Sequence, residues 1–202
     1  SSRERSEQSF ALIRSAWHGP IFAPAEGIWP SSSQPVGPLL AAGDDIPVYV
    51  AGSTPQSIAF SIANRLPLLL SLEPPEHRQL AVYDQLAGNT SARYPADFSL
   101  SRYVTVAHTR QAALAAVDHL LPRLYERRQR YAAARNRPAD TIMPIDREAF
   151  LDQQMIAGSA EDCFDQLVAL RDATGIDSVR LIFNCNGEVA HQQADAKLPS
   201  SV

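Results

Sequence analysis

Cysteine is scarce here. The 202 residues hold two, Cys163 and Cys185, and they do not form a CxxC pair. That excludes a disulfide framework and a cysteine-rich zinc site, and it points to a reducing, cytoplasmic setting. The five histidines, at positions 18, 77, 108, 119 and 191, never stand at metal-ligand spacing with a carboxylate, so no metal is expected. Long apolar runs are missing too. The longest, LPLLLSL, is strand-sized and falls short of the roughly 20 residues a bilayer requires. No excess of one charge exists either: the net charge is −4, which gives no electrostatic case for nucleic acid or an anionic membrane. The opening SSRERSEQ is polar and has no secretory apolar stretch. It begins with Ser, and we expect the natural polypeptide to be longer.

What is present suits a globular protein. The chain is 45% hydrophobic and 20% charged, ordinary for a single domain with a real core, so one domain over 1–202 is expected. Phe10, Ile13 and Trp17 recur at helical spacing and predict a helix over 4–17 that ends at Gly19-Pro20. Residues 20–46 are rich in Pro, Ser and Gly and have no period, which reads as a long loop.

A regular alternation follows. PVYVA predicts a strand over 47–51, and Gly52-Ser53-Thr54-Pro55 opens a helix with Pro in its first turn, running to about 64. LPLLLS predicts a second strand over 66–71, and Pro74-Pro75 precedes a helix over 76–87. RYVTVA predicts a third strand over 102–107. Thr109 is placed to cap a long helix over 111–135 that Pro122 should kink or split. A loop begins at Arg137-Pro138. Ser159 then caps a helix with Glu161 and Asp162 in its first turn, ending at Gly175. VRLIF predicts a fourth strand over 179–183, and residues 188–202 read as a frayed tail. Apolar strands joined by helices indicate a parallel sheet covered on its faces. The pattern alone fits either a doubly wound sheet or part of a (β/α)8 barrel.

One turn stands out chemically. A parallel-sheet protein binds ligands beyond the carboxyl ends of its strands. There, Gly52 to Thr54 opens a helix whose free N–H groups and positive end suit a phosphate, and Ser53, Thr54 and Ser57 add hydroxyl donors without bulk. The plain alternative is that Thr54 or Ser53 merely caps the helix. Ser71 ends the second strand, where polar residues are common anyway. Other candidates have bland readings as well. His108, at the end of the third strand, reads first as a solvated loop residue, and His77 and His119 as surface groups on helices. Cys185 reads as a small hydrophobe, and Asn184 and Asn186 as turn residues before Gly187. The arginine-rich RLYERRQRYAAARNR reads as a solvated helix face in preference to an anion patch.

Several stretches together resemble the bacterial luciferase-like flavin monooxygenases: RERSEQSFALIRSAW, PVYVAGSTPQSIAFSIANRLPLLLS, QLAVYDQLAG, RYVTVAH and MIAGSAEDCFDQLVALRDATGIDSVRLIFNCNG, in that family's order. The resemblance implies the last four βα units of a TIM (β/α)8 barrel, the C-terminal half. It also implies an enzyme that uses reduced FMN and O2 to oxygenate an organic substrate, with a deazaflavin in some branches. On the family pattern, Ser53, Thr54, Ser57 and Ser71 hold the FMN phosphate, although luciferase has Glu at the place of Ser53. The family's first barrel half, with most flavin-ring contacts and the main dimer interface, has no counterpart here, nor does its Trp before the last strand. The resemblance therefore leaves three readings: a flavin monooxygenase, a non-catalytic flavin-binding or accessory subunit, or a deazaflavin oxidoreductase. Its implied partners are a flavin, a small organic substrate, a flavin reductase, and a second copy or partner half-barrel.

Overall fold

A computed structural model describes residues 2–18, 46–88 and 94–183. The expected tail and all of the expected long loop but residue 46 lie outside these. The chain divides into two compact units, 1–47 and 48–202. In the first, α1 (Ser2–His18) covers the helix expected from its apolar spacing.

The second unit alternates strand and helix as the apolar runs require. In order it contains β1 (Val50–Ala51), α2 (Pro55–Asn64), β2 (Leu68–Leu69), α3 (Glu76–Ala87), β3 (Ser99–Val106) and α4 (Arg110–Ala134). A single 3-10 turn (Ala139–Thr141), α5 (Arg147–Gln153), β4 (Met155–Gly158), α6 (Ala160–Thr174) and β5 (Ser178–Ile182) follow. The cap residues act as their chemistry predicts. The Ala112 N–H donates to Thr109 Oγ1 (3.2 Å), the Asp162 N–H donates to Ser159 Oγ (3.1 Å), and Gly175 adopts the left-handed conformation at φ 69°.

Three expectations change. The split expected at Pro122 does not occur: α4 continues through it, and Leu120 and Leu124, on either side, are buried in one cluster with Tyr103 and Phe150, packing that favours the continuous helix. β3 starts at Ser99, earlier than its apolar run, because buried Ser101 satisfies its hydroxyl on the Leu70 carbonyl (2.8 Å). The stretch before Ser159, expected as loop, holds α5 and β4.

All pairings are parallel, and β3 is the hub. Ser99 pairs with both Leu69 of β2 and Ser178 of β5, so those strands lie on opposite edges of β3. Tyr103 likewise pairs with Met155 of β4 and Ile182 of β5. Hence β2 and β4 share one edge, one above the other. The step from β3 to β4 runs backward across the sheet, and the step from β4 to β5 runs forward. Right-handed crossovers of opposite direction place their helices on opposite faces. The packing agrees: Tyr103, Met155 and Ala157 bury against α4 and Phe150 of α5, whereas the alternate residues Val104 and Ile156 bury against Cys163 of α6. Lower down, Leu68, Leu70 and Leu100 pack with Ile58 of α2 and Leu80 of α3.

Candidate functional site

The site is built where β1 ends. Thr54 has an extended backbone and caps α2, and Pro55 begins the helix with its φ already set. Thr54 and Ser57 form a reciprocal box. The Ser57 N–H donates to Thr54 Oγ1 (3.2 Å) and the Thr54 N–H donates to Ser57 Oγ (3.1 Å). Ser57 Oγ donates to the Thr54 carbonyl (2.9 Å), and the two hydroxyl oxygens lie 2.9 Å apart. Gly52 makes room for this: a Cβ there would stand 2.5 Å from Ser57 Oγ.

Counting donors shows what is left for a ligand. Pro55 has no N–H, and the box consumes those of Thr54 and Ser57, which leaves the Gln56 amide in the first turn. Ser57 spends its proton on the Thr54 carbonyl, so the 2.9 Å contact between the two hydroxyls takes the Thr54 proton, and neither hydroxyl of the box keeps one to give. The Ser53 hydroxyl makes no bond among the described residues. No acidic residue lies in the first turn of α2, whereas α6 carries Glu161 and Asp162 in its own. Of the three hydroxyl-capped helix starts among the described residues, α6 is compensated by acids, whereas α2 and the Thr109-capped α4 leave their positive ends uncompensated.

Ser71 lies just past the end of β2. The ladder with β1 stops at Ala51↔Leu69, and beyond it the buried carboxamide of Gln79, from α3, takes both backbone groups of Ser71. The Ser71 hydroxyl makes no bond among the described residues. Of the four hydroxyls expected to act together, the structure joins Thr54 and Ser57 directly. Ser53 adjoins them in sequence, and Ser71 stands on the neighbouring strand end.

Two residues that the sequence reading passed over lie on the adjoining strands. Ser101 of β3 is paired in register with Arg180 of β5. Arg180 Nη2 donates to Ser101 Oγ (2.6 Å) and to the Leu70 carbonyl (2.9 Å). Its Nε is buried with no partner among the described residues, and burial lowers the guanidinium pKa. A cation is thereby held one residue from Ser71. The alternating SLSR spelling hinted at the serine, but only the pairing register links Arg180 to it.

The histidines keep their bland readings: His77, His108 and His119 are exposed. Cys163, on the face of α6 turned to Val104 and Ile156, is buried, which raises its thiol pKa through loss of solvent and then through Asp162. Cys185, Asn184 and Asn186 lie outside the described residues. Among the described residues no helix is long and apolar enough to cross a membrane.

Comparison with known proteins supplies a family. The model of the luciferase-like monooxygenases matches residues 2–178. Among solved structures, the chain is similar to the oxygenating constituent of 3,6-diketocamphane monooxygenase, a type II Baeyer–Villiger monooxygenase from the CAM plasmid of Pseudomonas putida solved in complex with FMN. The identity is 20% over 87% of this chain and 54% of that one, with a TM-score of 0.58. It is also similar to monooxygenase RslO1 from Streptomyces bottropensis, at 15% identity over 97% of this chain and 58% of that one, with a TM-score of 0.57. Identities this low establish the fold. The luciferase-like relatives are TIM barrels, and this chain covers part of that fold. It spans just over half the length of the two proteins. No curated protein matches it.

Proposed function

Because the chain belongs to the luciferase-like monooxygenase family, we propose that it forms the phosphate-holding half of a flavin-dependent monooxygenase. The observation that carries this is the start of α2: an acid-free helix end at the carboxyl end of a parallel strand, with unspent donors on the Ser53 hydroxyl and the Gln56 amide. Ser71 adds a hydroxyl from the next strand. In this reading FMN, bound in its reduced form, supplies the electrons that activate dioxygen. The chain's own residues do other work. Ser53, Thr54, Ser57 and Ser71 hold and orient the phosphate: Ser57 keeps Thr54 in place through the box, while Ser53 and Ser71 donate. The organic substrate, a flavin reductase, and a second copy or partner half-barrel complete the proposal.

Titration with FMN tests it, using the full natural polypeptide. Replacing Ser53 and Ser71 together by Ala should weaken binding by about tenfold or more, the loss expected for two charge-assisted hydrogen bonds. Unchanged affinity would remove the assignment.

A second reading, a non-catalytic flavin-binding subunit, is favoured by one feature: among the described residues no reactive thiol or buried histidine lies at a strand end. Oxygen uptake with reduced FMN separates the two, since an accessory chain binds flavin without consuming oxygen. A deazaflavin also carries a phosphate, so the same turn would hold it. Hydride transfer without oxygen would select that cofactor.

A further inference from the structure

The arginine-rich half of α4 does more than face solvent. Past Ala134, Asn136 takes a left-handed conformation (φ 54°) and turns the chain back along the helix. Tyr125 pins the returning segment by donating its hydroxyl to the Ile142 carbonyl (3.2 Å). Between that segment, α4 and α5 lies a cavity of about 540 Å³, within the usual size range for small-molecule sites. Its floor is apolar: Ala132 and Phe150 are 5% and 1% exposed.

The mouth is unusual in two ways. Tyr131 and Met143 line it, and they are 63% and 75% exposed, more than a packing role requires. Three arginines line it as well. Arg128 is already committed to Glu73, whereas the guanidinium groups of Arg135 and Arg137 have no partner among the described residues. The acids nearby are occupied: Glu73 takes Arg128 and also accepts from Gln154 (3.1 Å), and Asp146 caps α5 through the Ala149 N–H (2.7 Å). With Arg128 and Glu73 cancelling, two free cations face one acid, an excess of one positive charge.

We propose that this cavity binds a compact organic acid with a flat apolar body, such as an aryl carboxylate. Arg135 and Arg137 take the carboxylate, whose planar fork they match. The exposed Tyr131 and Met143 cover the ring. None of the lining residues is among those assigned to the phosphate, so the proposal stands or falls without the flavin reading.

Calorimetric titration with 2-naphthoate tests it, with 2-naphthamide as the neutral counterpart and sulfate as the anion without a ring. Naphthoate should bind saturably and at least about tenfold more tightly than either control. The Arg135→Gln/Arg137→Gln double variant should lose that preference while its unfolding midpoint stays put, because both side chains are exposed. An Ala149→Phe variant, which fills the cavity, should abolish binding. The proposal is overturned by equal binding of the amide, by undiminished binding in the double arginine variant, or by no saturable naphthoate binding in the unmodified protein at about 5 mM, beyond the weak end of specific affinity.

Discussion

The carboxamide of Gln79 replaces a missing strand beside Ser71. Its Oε1 accepts the Ser71 N–H at 3.0 Å, and its Nε2 donates to the Ser71 carbonyl at 2.8 Å and also to that of Pro74. β1 is two residues long and ends before this level, so without Gln79 the end of β2 would carry unpaired, partly buried backbone groups. Gln79 itself is 1% exposed. Replacing Gln79 by Ala should destabilise the protein by about 2–4 kcal/mol, since several buried polar groups lose partners at once. Urea unfolding measures this. A loss below about 1 kcal/mol would mean that water or β1 takes over.

Ser71 itself should behave in the opposite way. Its hydroxyl bonds nothing among the described residues, so Ser71→Ala should leave the unfolding midpoint unchanged while weakening FMN binding. Thr54→Ala should lower both, because it removes a helix cap worth about 1 kcal/mol. Thermal melts paired with FMN titrations on the two variants distinguish a ligand contact from a cap.

The α6 cap predicts an acid dependence. The Ser159 N–H (2.9 Å) and then the Ser159 hydroxyl (2.9 Å) bond the Asp162 carboxylate, and they hold its pKa below the ordinary carboxylate value. A depressed folded pKa stabilises the fold above the unfolded pKa of about 3.9, and that stability is lost as pH falls through the folded value. The unfolding midpoint should therefore drop on acidification below about pH 4, and less so in Asp162→Asn. Parallel curves for the two proteins would show that this carboxylate is not linked to folding.

Arg102 and Glu76 pair at 2.7 Å with side chains only 5% and 17% exposed. Glu76→Ala would leave the guanidinium buried without its counter-charge, at a cost of about 3–5 kcal/mol. Replacing both partners by Met should recover most of that loss, because two buried charges are then removed together. Chemical denaturation of the single and double variants gives the comparison.

Much of this was legible before the coordinates. α3 spans the expected residues, and Thr109, Ser159 and Gly175 cap as their side chains and φ preferences dictate. The hydroxyl cluster at Thr54 was visible as well. Its double duty as a capping box was foreseen only as an alternative, and the structure shows that the box consumes two of the first-turn amides. β4 was missed because MIAG is too short to show a period, and α5 because seven residues are (two turns at most).

Local spelling determined the succession of helices and parallel strands, the capped helix ends and the hydroxyl-rich turn, because these depend on neighbours within a few residues. Only the tertiary structure decided that β4 lies on the same edge of β3 as β2, that Gln79 serves Ser71, that Arg180 reaches Leu70 and Ser101, and that a cavity opens under Arg135 and Arg137. Each of these depends on which strand edges meet and in what register. Such long-range choices are made by packing the whole sheet against its helices, and no short window of sequence contains them.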